Sequence, residues 1–140
     1  MDSIEFKHLI LDLKTTLNGD EEFFGSVRYL RYLSILAFAS IAENFKEEGM
    51  NKNGILYFNL YTLQKIADFL GFKFDRTRSA RTVLEDSVKR GESQKILDDK
   101  GVTHYSLTKN GLKSSQTRLL ELYEITSSKL LPLEIGRAHV

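Results

Sequence analysis

A chain of 140 residues, 41% hydrophobic and 28% charged, has the length of one domain and the composition of an ordinary globular protein. With no cysteine it cannot hold a disulfide, a thiolate metal site or a cysteine nucleophile. The net charge of +1 is unevenly spread, because residues 1–50 carry nine acids against five bases while residues 51–140 carry fifteen bases against ten acids. Such an imbalance directs a search for phosphate contacts to the second part of the chain.

The first element is an expected amphipathic helix from Ile4 to Leu17, with Ile4, His8 or Leu9, Leu11 and Leu13 toward one side and Asn18-Gly19 as its stop. Asp2, Glu5 and Asp12 interrupt any secretory apolar core. A long helix is then expected from Asp20 to Glu48, opened by Glu21 and Glu22, where negative charge suits the helix dipole, and closed by Gly49. Phe23, Val27, Leu30, Leu33, Phe38, Ile41, Ala42 and Phe45 give it one apolar face, which Tyr29, Tyr32, Ile35 and Leu36 widen. A helix apolar nearly all round is either central in its domain or shared between subunits. The apolar run Tyr29 to Ala42 contains Arg31 and is shorter than the roughly 20 residues that cross a bilayer, so a membrane span is excluded and a cytoplasmic protein is expected.

Met50 to Gly54 reads as a loop and Ile55-Leu56-Tyr57-Phe58 as a short strand. Next, Leu63, Ile66, Ala67 and Leu70 fall at helical spacing in a helix from Thr62 to Leu70, with Thr62 as cap and Gly71 as stop. Asp75 caps a second helix that runs to Arg90 and stops at Gly91. A rotation of about 100° per residue puts Ala80, Val83, Leu84, Ser87 and Val88 inward, and Arg78, Ser79, Arg81, Thr82, Glu85 and Asp86 outward, with Arg76 at the border. Gln94 to Leu97 and Val102 to Leu107 flank the turn Asp98-Asp99-Lys100-Gly101 and predict a hairpin. Tyr105 and Leu107 alternate there with Ser106 and Thr108, as in a strand with one wet face. A final helix is expected from Lys109 to Leu131, offering Leu112, Leu119, Leu120, Leu122, Tyr123, Leu130 and Leu131, with Pro132 as its stop.

The run Leu63-Gln64-Lys65-Ile66-Ala67-Asp68-Phe69-Leu70-Gly71, the segment Val83-Leu84 through Gly91, and Tyr105-Ser106-Leu107-Thr108-Lys109-Asn110-Gly111 follow one another in a fixed order. Together they resemble the winged helix-turn-helix regulators of the MarR and PadR kind, over a little more than a third of the chain. The resemblance implies a mainly α fold with a small β-hairpin wing (α+β) and additional N- and C-terminal helices. It also implies a recognition helix at Asp75 to Arg90, a wing at Gln94 to Leu107, and dimerisation through the terminal helices. The expected function is sequence-specific binding of double-stranded DNA by a homodimeric transcriptional regulator. Arg76, Arg78, Arg81 and Thr82 would enter the major groove, Thr77 and Ser79 would meet phosphates or bases, and Lys73, Lys89, Arg90 and Lys95 would contact the backbone. Arginine suits this role because its guanidinium pairs bidentately with guanine. The wing departs from the basic tip common in such regulators, since it carries Asp98 and Asp99.

The expected organisation is an N-terminal helical segment over residues 1–50, a DNA-binding domain over 51–112 and a C-terminal helix over 113–133. Residues 134–140, Glu-Ile-Gly-Arg-Ala-His-Val, are what a common short-read sequencing adapter encodes in one reading frame. They are read as a non-native tail, with the natural chain expected to continue past Leu133. The histidines His8, His104 and His139 are scattered, so no zinc site is expected. No phosphate loop, nucleophile elbow or His-Glu-x-x-His occurs, and neither a cofactor nor an enzyme activity has residues to rest on. Tyr57, Phe58, Tyr61, Phe69, Phe72 and Phe74 have the chemistry of stacking platforms for single-stranded nucleic acid. Core packing is the plainer expectation for them, because several fall on apolar faces. Two rival functions share the fold: a winged helix used for protein assembly, and a replication-initiation or mobile-element DNA-binding protein.

Overall fold

The computed structural model describes residues 2–16, 28–72, 74 and 79–138, and the side chains of Lys14, Thr16, Ser79 and residues 125–138 lie outside the description. Five α-helices and four strands follow in the order α1 (Ser3–Thr16), α2 (Arg28–Ile41), a 3-10 helix (Glu43–Glu48), β1 (Met50–Lys52), β2 (Ile55–Asn59), α3 (Leu60–Leu70), α4 (Ser79–Lys89), β3 (Ser93–Leu97), β4 (Thr103–Leu107) and α5 (Lys109–Ala138). The fold is α+β and mainly helical, with one antiparallel sheet in the order β1-β2-β4-β3.

Helix α2 is the centre. Every residue from Leu30 to Ala39 is buried, and α1, α3, α4, α5 and β4 all pack against it. Its apolar girth is thus used up within one chain, the first of the two outcomes that a helix apolar all round allows. Each large side chain buried there contributes roughly 1.5–3 kcal/mol. Ser34 is tolerated because its hydroxyl donates to the Leu30 carbonyl at 2.6 Å.

Several expected boundaries move. The long helix does not continue to Glu48: Ala42 is extended (φ −83°, ψ 123°) and a 3-10 helix follows. Local propensity favours continuation, but the break sets Phe45 against Phe69, whose ring also stacks on Phe38, each pair with centroids 5.8 Å apart. The proposed start of that helix, Asp20 to Val27, lies outside the described residues. In α1 the buried stripe is Phe6, Leu9, Ile10 and Leu13, whereas Ile4 is 69% exposed. Residues 50–54 are not a loop but strand β1 and a tight turn, with Asn53 (φ 55°) and Gly54 (φ 82°) in the left-handed region that a two-residue hairpin requires. Helix α3 begins at Leu60, because Asn59, not Thr62, caps it: Asn59 Oδ1 accepts the Thr62 N–H at 2.8 Å. Gly71 closes it at φ 73° as expected. Strand β4 lacks a wet face. Because it lies between β2 and β3, His104, Tyr105 and Ser106 are all buried. Pro132 lies within α5 rather than at its end, where its missing N–H removes one helical hydrogen bond without stopping the helix.

One joint fastens the end of the sheet to both α4 and α5. Thr108 Oγ1 donates to the Gly91 carbonyl at 2.6 Å and accepts the Gly111 N–H at 3.0 Å, and the Thr108 N–H donates to the Glu92 carbonyl at 3.1 Å. Gly111 lies so close to Glu92 that a Cβ there would fall on the Glu92 carbonyl oxygen. Gly111→Ala should therefore lower the unfolding free energy by about 2 kcal/mol or more, read from a urea titration followed by circular dichroism. An unshifted midpoint would mean that the joint can open without cost.

Candidate nucleic-acid interface

Helix α4 carries the expected outward face. Ala80, Leu84 and Ser87 are buried and Val83 and Val88 half-buried, while Arg81, Thr82 and Lys89 are exposed. Arg76, Thr77, Arg78 and Lys73 lie outside the described residues, and Ser79 opens α4 with its side chain undescribed. Of the expected major-groove residues, Arg81 and Thr82 are therefore the ones whose position is known.

The remaining cations divide by their partners. Lys95 on β3 bonds Glu85 Oε2 at 2.7 Å, and the Tyr105 hydroxyl donates to Glu85 Oε1 at 2.8 Å. Both Glu85 oxygens are thus occupied, and the Lys95 hydrogen bond, followed by that of Tyr105, holds the Glu85 carboxyl below its ordinary value. Burial first, and then Glu85, raise the Tyr105 hydroxyl. Arg90 pairs with Asp86 at 3.1 Å and lays its guanidinium over the Tyr29 ring at 4.5 Å. On the same ring Arg118 lies at 5.3 Å, and its Nη2 is 3.7 Å from Glu92 Oε1. Burial and the Glu92 carboxylate push the Tyr29 hydroxyl up to about 12. Lys95 and Arg90 hence serve the packing of α4 as well as any external anion. Arg81 has no ion pair within 4 Å among the described residues, and its cation stands on the open face.

At the hairpin tip the acidic residues have different duties. Asp98 Oδ1 accepts the N–H groups of Lys100 (2.8 Å) and Val102 (2.9 Å), and Oδ2 lies 3.0 Å from His104 Nε2. These bonds, His104 foremost, hold the Asp98 carboxyl below its ordinary value. Its oxygens are engaged inside the turn, next to which Asp99 and Lys100 are both exposed. His104 is buried, at 8% exposure, against Asp98.

Of the six aromatics that could stack on bases, Tyr57, Phe58, Phe72 and Phe74 are core residues and Phe69 is held by Phe38 and Phe45. Tyr61 is different. It is 58% exposed and borders a groove of about 520 Å³ formed by residues 59–61, Arg81, residues 101–103 and Tyr105. The sequence pattern carried a signal for it: Tyr61 lies off the Leu63-Ile66-Ala67-Leu70 face, so only its outward position is explained by periodicity. The groove itself had none, since its walls come from three distant segments.

Among the described residues no three metal-binding side chains gather, and no helix is long and apolar enough to cross a membrane. Compared with protein-family models, curated proteins and solved structures, the chain has no significant match.

The carboxylates define an acid limb of stability. Glu85 and Asp98 have folded values depressed below 4.5 and 3.8, so their contribution is complete above those values and is lost as pH falls through the folded ones. Unfolding midpoints in urea should therefore hold above about pH 5 and drop as pH falls below it, and drop less in the E85Q/D98N double variant. Equal drops in both proteins would remove these two groups from the account.

Proposed function

We propose that this chain is a winged helix-turn-helix protein that binds double-stranded DNA, with α4 as recognition helix and the β3–β4 hairpin as wing. Support comes from the order α2, β2, α3, α4, β3, β4, in which β4 pairs with both β2 and β3. The observation that carries the reading is Arg81 with Thr82, exposed on the outward face of the second helix of the pair, with Arg81 bordering a groove of about 520 Å³. A transcriptional regulator is the role this reading favours. Arg81 and Thr82, with Arg76 and Arg78 from the same segment, read bases; Thr77 and Ser79, and Lys73 and Lys89, hold the backbone.

The protein acts as a homodimer in this proposal. Exposed Ile4 (69%), Leu120 (39%) and Tyr123 (38%) sit on α1 and α5, which pack on each other, and α2 takes no part because it is interior. A second reading, a winged helix for protein assembly, is favoured by one observation: Lys95 and Arg90 are already engaged by Glu85 and Asp86 of their own chain.

Fluorescence anisotropy with random duplex DNA at two salt concentrations separates the two. The DNA reading expects micromolar affinity that weakens steeply with salt. On a selected site, Arg81→Ala should cost about 1–3 kcal/mol. Absent binding at low salt would favour assembly. For the dimer, light scattering should give twice the chain mass for the native protein and a single chain mass for the L120E/Y123E variant; a monomeric native protein would refute that part.

A further inference from the structure

The groove beside Arg81 has a composition of its own. One wall is the start of α3, where Tyr61 is 58% exposed and Asn59 Oδ1 is engaged by the Thr62 N–H, so that Asn59 offers its amide N–H groups. The opposite wall is the hairpin, with Thr103 and the half-open apolar surface of Val102, 42% exposed. Arg81 stands at the border between them. Glu85, one helical turn further along α4, accepts from Lys95 and the Tyr105 hydroxyl, at 2.7 and 2.8 Å, and also feels the Arg81 charge, with no ion pair between the two within 4 Å. An aromatic ring, amide and hydroxyl groups and the Arg81 guanidinium thus surround one cleft of about 520 Å³, within the range of about 300–1,000 Å³ typical of small-ligand sites.

We propose that this groove binds one unpaired nucleotide unit, its base against the Tyr61 ring and its phosphate on the Arg81 guanidinium. The inference rests on the nucleic-acid reading above but asks for a different substrate. A base within a duplex has both faces covered by neighbours, so an aromatic side chain can stack only on a base that is unpaired. Stacking is also tolerant of base identity, because every base presents a π-face, and the site is accordingly one for single strands of mixed sequence. The same chemistry could come from a free nucleotide or from a nucleotide within a strand. The strand adds phosphates on either side, whereas Lys65, whose ammonium lies 5.0 Å from the Tyr61 ring centroid, is already paired with Glu48 at 3.4 Å.

The test is anisotropy of a labelled oligothymidylate with the full chain, beside the same measurement on a hairpin duplex. The oligothymidylate should bind, and Tyr61→Ala should weaken it by about fivefold or more, the loss expected of one stacked base. Tyr61→Phe, which keeps the ring, should restore it. Arg81→Ala should weaken both nucleic acids, Tyr61→Ala the single strand alone, and Lys113→Ala, on exposed α5 surface away from the groove, neither. Competition by thymidine monophosphate would assign the site to free nucleotides as well, and its failure to compete would assign it to strands; both outcomes keep the nucleotide unit. Three results overturn the proposal: no binding of the single strand, single-strand binding indifferent to Tyr61→Ala, or equal losses on duplex and single strand. Duplex binding that persists in the first two cases leaves the DNA reading intact while the groove assignment falls.

Discussion

Everything in this protein is arranged around a helix that has no outside. From Leu30 to Ala39, α2 buries each side chain in turn, and α1, α3, α4, α5 and β4 are the surfaces that make this possible. A helix cannot hide a full circumference against one neighbour, so its sequence demands a shell of several elements. That demand explains the dispersed apolar stripes elsewhere: Phe6, Leu9, Ile10 and Leu13 on α1, Leu63, Ile66, Ala67 and Leu70 on α3, Ala80 and Leu84 on α4, Leu119 and Leu122 on α5. Polar residues within the shell survive by local bonds, as Ser34 does on Leu30 and Ser115 on the Gly111 carbonyl at 2.7 Å.

Two polar connections convert this packing into a presented surface. Thr108, Gly111 and the Gly91-Glu92 backbone lock the end of β4 and the start of α5 to the end of α4. Glu85 does the same one helical turn after Arg81, reaching Lys95 and Tyr105 across the β3–β4 pair. The consequence is electrostatic as well as mechanical. Two donors on the sheet hold the Glu85 carboxylate toward β3 and β4, and Arg81, though it still feels that charge, borders the groove with no ion pair within 4 Å among the described residues. Asp98 is likewise held at the tip, where backbone N–H groups and His104 fix its carboxylate within the turn.

How much of this was legible in the chain depended on whether the cause was local. The stop at Gly71, the inward face of α4, the turn at Asp98 to Gly101 and the strand pairing around it all follow from neighbours a few residues away, and all appear where the pattern put them. The Asn53-Gly54 hairpin was legible too, since that dipeptide favours the left-handed pair of a tight turn, although the polar run around it resembles a loop. By contrast, nothing near Ala42 requires the helix to break. The break answers Phe69, which meets both Phe38 and Phe45 from another helix. Likewise β4 carries an alternating pattern, yet its central place in the sheet buries His104 and Ser106 along with Tyr105.

The sequence by itself determined most of the helices, the β3–β4 hairpin and the outward position of Arg81 on α4, because helical and strand periodicity and glycine stops act over a few residues. Tertiary structure alone decided which of those cations stay available and what lies beside them. Lys95 and Arg90 look no different from Arg81 in the chain, but ion pairing depends on distances between segments far apart in sequence, and only packing sets those. For the same reason, of six comparable aromatics Tyr61 and Phe69 stay exposed and Tyr61 borders the groove: exposure belongs to the surface left over after the core of α2 has been covered.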